Sequence, residues 1–164
     1  MDEAKKLEIL GLLESNARLT APQIAVMLDG DPAEVAAAIT EMEESKVIVR
    51  HYALINWEKA GADRVTALID VKLHPQRDVG FDRVAERIAR FPEVRSCYLM
   101  SGTYDLAVEV ESANLREAAR FVSERLSTME GVASTTTHFV LKRYKHDGVS
   151  FTEEATHERL AITP

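Results

Sequence analysis

The sequence is most informative first in what it lacks. It has one cysteine, Cys97, so no disulfide can form within the chain, and a reducing cytoplasm is the expected compartment. It has no apolar run long enough to cross a bilayer. Met1-Asp-Glu-Ala-Lys-Lys lacks the basic-then-apolar form of a signal peptide. Positive charge is not in surplus: the formal net charge is −7. That argues against a chain gripping nucleic acid over its whole surface, because phosphate binding relies on Lys and Arg. A local basic patch is still allowed. The histidines, His51, His74, His138, His146 and His157, show no metal-ligand spacing. No nucleophile–base motif or phosphate loop is present. Neither an enzyme nor a resident cofactor or metal is expected.

What is there falls into two segments with different periods. The first reads as helices. Leu7, Ile9, Leu10, Leu12 and Leu13 give helical spacing on a first helix. Thr20-Ala-Pro-Gln23 has the form of a capping box that opens a second, burying Ile24 and Leu28. After Asp29-Gly30, Asp31 caps a third helix with Pro32 at its first position and Glu34 near the N-terminal dipole. Val35, Ile39 and Met42 form its buried stripe. From Val47 to Trp57 the residues turn to β type, the pattern of a short two-stranded wing. Three short helices and a wing spell a winged helix-turn-helix. Residues 1–62 hold 11 acidic and 6 basic side chains, so the net charge concentrates here.

The second segment alternates strand and helix. Val65 to Leu73 alternates as a strand, and Phe81, Val84, Ala85, Ile88 and Ala89 mark a helix that stops before Pro92. Val94 to Met100 and Leu106 to Val110 read as a hairpin around Ser101-Gly-Thr-Tyr-Asp105. Leu115, Ala118, Ala119, Val122 and Leu126 are expected on one helix face, followed by a last strand from Val132 to Leu141. The order βαββαβ is ferredoxin-like. The fold class is therefore α+β, with a winged helix-turn-helix over 1–60, a ferredoxin-like domain over 61–145 and a polar tail over 146–164. Both helices must cover one face of the sheet. The other face, expected to carry Thr66, Leu68, Asp70, Cys97, Leu99, Thr135 and Thr137, is too apolar for plain exposure and asks for a second copy.

Glu43, Val47-Ile48, Tyr52-Ala53 and Gly61, the turn Ser101–Asp105, Gly131-Val132 and Thr135-Thr-Thr-His-Phe-Val-Leu-Lys142 together resemble the signature of the Lrp/AsnC, or feast/famine, transcriptional regulators. The resemblance spans about Leu7 to Lys145. It implies a DNA-binding domain, a regulatory domain, dimers that often assemble into octamers, and a small effector, usually an amino acid, bound between regulatory domains. On that reading the effector residues are Ser101, Gly102, Thr103, Tyr104, Asp105, Thr135, Thr136 and Thr137. Asp105 would meet an ammonium group and the hydroxyls a carboxylate. Gly102 would let the backbone turn and a ligand come close.

Double-stranded DNA would meet the third helix, Asp31 to Lys46, through Ala33, Glu34, Ala37, Ala38 and Glu41. Arg18, Lys46, Arg50, His51 and Lys59 would contact the backbone. The family usually places arginines on this helix, whereas here the face is alanine and glutamate, which can neither neutralise phosphate nor read a purine. Lys46 also replaces the usual glycine before the wing. The alternative is a ligand-sensing oligomeric co-regulator with weak or lost DNA binding.

Overall fold

The structure, a computed structural model, describes residues 2–74 and 81–152 and divides into two units, Met1–Ile55 and Asn56–Pro164. In the first, α1 (Glu3–Ser15) starts on Asp2, whose carboxylate accepts from the Lys5 N–H at 2.8 Å. Helix α2 (Ala21–Met27) starts at Thr20, whose N–H donates to Gln23 Oε1 at 2.9 Å. Helix α3 (Pro32–Glu44) starts at Asp31, which accepts from the N–H groups of Ala33 and Glu34 at 2.8 and 3.0 Å. The Thr20 and Asp31 caps read from the sequence thus set where α2 and α3 begin. Ile9, Leu13, Ile24, Ala25, Val35, Ala38 and Met42 pack into one core. Asp29, in the turn between α2 and α3, takes the left-handed conformation at φ +47°.

Two expectations fail in this unit. Leu7 is exposed, and Ile9 with Leu13 carries the buried side of α1. The wing does not form, and residues 47–56 contain no strand. An isolated two-stranded ribbon is marginal in water, and Val47, Val49 and Tyr52 remain exposed rather than covering a core.

The second unit contains β1 (Val65–Leu73), α4 (Asp82–Ala89), β2 (Val94–Leu99), β3 (Leu106–Ser112), α5 (Leu115–Arg120, continuing as a wider π turn over Phe121–Leu126) and β4 (Val132–Phe139). The strands pair antiparallel in the order β2-β3-β1-β4, the ferredoxin-like arrangement. Ala67, Ile69, Val71, Leu73, Leu106, Val108 and Val110 point toward the helices and meet Val84, Ile88, Phe121 and Leu126. The α5 segment departs from simple helical spacing. Leu115 and Ala119 are exposed, while Ala118, Phe121 and Leu126 are buried. The Ser127 N–H donates to the Val122 carbonyl at 2.8 Å, a five-residue step that carries Leu126 round to the core.

Register corrects the composition of the open face. Val71 lies opposite Thr135 and Ile69 opposite Thr137, so both threonines share the helix-covered side. Cys97 lies opposite buried Val108 and packs against the same core, so it too is on that side, with Leu99 in phase. Burial pushes the Cys97 thiol up from its ordinary range. The open face instead carries Leu68, Asp70 and Lys72, Ser134, Thr136 and His138, Ala107 and Glu109, and Tyr98. Leu68 is 47% and Tyr98 60% exposed there.

The start of the tail is ordered. Lys145–His146 (β5) and Val149–Ser150 (β6) form a tight hairpin around Asp147-Gly148, at φ +45° and +77°, the signature of a two-residue turn with both centres left-handed. His157 and Leu160 to Ile162 lie outside the described residues.

Candidate functional site

In the first unit, the solvent side of α3 presents Ala33, Glu34, Ala36, Ala37, Thr40, Glu41 and Glu44. Ala38 does not belong there. It is 3% exposed and part of the core, because it follows Val35 by three residues and precedes Met42 by four. Glu41 is already engaged: Lys6 of α1 donates to it at 2.8 Å, and that hydrogen bond holds the carboxyl below, and the ammonium above, their ordinary ranges. His51 meets Glu43 at 3.0 Å, and the Arg50 guanidinium lies 5.6 Å from the Tyr52 ring centre. Arg18 and Lys46 are exposed. Lys59 falls in the second unit. Lys46 adopts φ +62°, its N–H donating to the Glu43 carbonyl at 3.2 Å. The position where the family resemblance places a glycine is thus one that demands a left-handed backbone.

In the second unit, the loop between β2 and β3 is exposed at Ser101, Gly102 and Thr103 and half-buried at Tyr104 and Asp105. Asp105 is the best anchored. Its N–H donates to the Val71 carbonyl at 3.0 Å, and its Oδ2 accepts from the Leu73 N–H at 2.7 Å. The β1–β3 ladder ends at Val71 and Leu106, and the carboxylate takes up the Leu73 N–H just beyond that end. Asp105 therefore fastens the loop to β1, whatever else it meets. Lys72, absent from the sequence reading, lies on the open face, and its Nζ donates to the Thr103 carbonyl at 2.8 Å. Thr136 faces Asp70 across β1 and β4, and Asp70 meets His138 at 3.1 Å. Thr135 Oγ1 is instead 3.0 Å from Ser127 Oγ on the helix side.

Gly102 calls for a different account from a turn requirement. It does not sit in the left-handed region, and a methyl group built on it would meet nothing within 4 Å. The chain's own fold tolerates a side chain there. The space that Gly102 leaves open lies outside this chain.

Charge in the second unit gathers at Glu111, which accepts from Arg64 Nη1 at 2.8 Å and from Arg95. Burial pushes its carboxyl up, but the two guanidinium groups outweigh burial and hold it below the ordinary carboxylate range. Arg64 lies 3.7 Å from the Trp57 ring centre, and Arg143 donates to Thr66 Oγ1 at 3.1 Å. Glu111, Arg64, Trp57, Thr66 and Arg143 line a cleft of about 250 Å³ with Phe151. They satisfy one another and read as structural.

Comparison with known proteins decides the family. Residues 66–150, just over half of the chain, match the family model of the Lrp/AsnC ligand binding domain. The chain belongs to the Lrp/AsnC family. It is 49% identical over 161 residues to the uncharacterized HTH-type transcriptional regulator YugG of Bacillus subtilis, covering 98% of this chain and 97% of that protein. It is 28% identical to the proline dehydrogenase transcriptional activator of Rhodobacter capsulatus, over 85% of this chain and 90% of that one. Among solved structures it resembles a transcriptional regulator of Neisseria meningitidis in complex with L-Met, at TM-score 0.72 and 24% identity over 96% of this chain and 98% of that one. Escherichia coli AsnC matches at TM-score 0.69 and 19% identity, over 89% and 96%. As an Lrp/AsnC protein the chain is a helix-turn-helix transcriptional regulator with a ligand-binding domain. Among the described residues no helix is long and apolar enough to cross a membrane.

Proposed function

We propose that this regulator works as an oligomer in the cytoplasm. Its α3 enters the major groove of double-stranded DNA, and its Ser101–Asp105 loop receives an amino-acid-like effector. Arg18, Lys46 and Arg50 supply the phosphate contacts. Copies pair through the open sheet face around Leu68 and Tyr98, and pairs assemble further, toward an octamer. The effector reading is carried by Gly102, whose vacancy neither backbone conformation nor internal packing requires. The Ser101 and Thr103 hydroxyls stand beside it for a carboxylate, and Thr136 lies across β1. The L-Met complex of the Neisseria protein supports an amino acid as the class of ligand.

A thermal-shift screen against the twenty amino acids tests this. At least one is expected to raise the melting temperature of the wild type, and Gly102→Val is expected to fold normally and lose that response. No response in the wild type, or an equal one in Gly102→Val, contradicts the loop as the site.

The acidic face of α3 favours a second reading, a co-regulator that has lost DNA binding. Duplex affinity that is absent at low salt, or flat against salt, selects it, because phosphate contacts make affinity fall steeply as salt rises.

A further inference from the structure

Resting on α3 as the groove-entering helix, we infer that this protein reads sequence through the 5-methyl groups of thymine. The inference follows from an inventory of what α3 can offer a base edge. In a helix-turn-helix the N-terminal residues of the second helix meet the bases. Ala33, Ala37 and Thr40 run along the middle of the solvent side of α3, opposite buried Val35, Ala38 and Met42. The Thr40 hydroxyl donates to the Ala36 carbonyl at 3.0 Å, which commits its only proton within the helix, so Thr40 has no donor for guanine and offers a base edge its γ-methyl. Ala36 adds a methyl on one flank. On the other stand Glu34 and Glu41, the latter held by Lys6.

Helix α3, Pro32–Glu44, contains no Arg, Lys, Asn or Gln. It therefore has no donor pair for the N7 and O6 of guanine, nor the paired donor and acceptor that recognise adenine. A carboxylate can accept from the cytosine amino group, and a methyl can pack on the methyl of thymine. From Ala33 to Thr40 the rise is about 10 Å, which spans about three base-pair steps. Binding strength then comes from the backbone contacts of Arg18, Lys46 and Arg50, and discrimination from methyl packing.

The test uses the full chain and a pool of random duplexes. Fragments retained at low salt are sequenced, and one enriched duplex is remade with deoxyuridine in place of thymidine, which removes only the methyl groups. Each contacted methyl lost is expected to weaken binding about fourfold, from the transfer energy of one carbon group. Ala37→Gly is expected to bind the thymine duplex more weakly and to show a smaller loss on uracil substitution. Enrichment of a sequence that is bound within about twofold as its uracil form overturns the methyl reading while leaving α3 as the DNA-binding element. Enrichment of G·C-rich sequence does the same. No enrichment and no retained duplex overturns both.

Discussion

Replacing Asp105 by alanine separates a fastening role from a ligand role. The carboxylate accepts from the Leu73 N–H at 2.7 Å, just past the end of the β1–β3 ladder. Leu73 is 3% exposed, so water does not readily take over that N–H. A hydrogen bond to a charged acceptor contributes about 1.5–3 kcal/mol, and leaving a buried donor unpaired costs a similar amount. Asp105→Ala should therefore destabilise the fold by about 2 kcal/mol. For a chain of this length that lowers Tm by about 4–8 °C, since each kcal/mol is worth about 2–4 °C. Asp105→Asn keeps an acceptor without the charge and should lose about half as much. Circular dichroism melts of the three proteins without added amino acids measure this directly. An Asp105→Ala protein melting within about 1 °C of wild type refutes the fastening role.

Lys46 holds φ +62°, a conformation that costs a side-chain-bearing residue about 1 kcal/mol. Lys46→Gly should raise stability by about 0.5–1 kcal/mol in urea unfolding, while duplex binding weakens because a cation is lost. Glu111, held below the ordinary carboxylate range by Arg64 and Arg95, stabilises the fold above its unfolded pKa, and that stability is lost as pH falls through its lower folded value. Below about pH 4.5, wild type should lose stability more steeply than Glu111→Gln, read from Tm against pH.

Local chemistry made the helices of the first unit legible. Thr20, Asp31 and Pro32 each have one low-energy use in that setting, and each is found in it. Period-2 alternation likewise placed the core residues of β1 and β3 correctly, because both strands are central and meet helices on one side. It failed at β4 and β2. There the phase of exposure is weak, and only pairing with β1 and β3 shows that Thr135, Thr137 and Cys97 turn toward the helices. The π turn was hidden for a related reason: one extra residue in the helical step moves every later side chain, and no residue type announces it. The Asp147-Gly148 hairpin carried a clear signal that the polarity of the tail obscured. Ala38 shows the remaining hazard. A family position of the recognition helix becomes core when the helix phase is fixed by Val35 and Met42.

In the proposed function, pairing of the open sheet faces would place the effector between copies and supply the avidity that offsets an acidic α3, since linked sites raise effective concentration. Sedimentation velocity of the full chain at micromolar concentration tests that pairing most directly. Wild type should sediment as a dimer or a multiple of one, and Leu68→Glu, which sets a charge at the centre of the face, should shift it toward a folded monomer. A wild-type protein that stays monomeric contradicts the account.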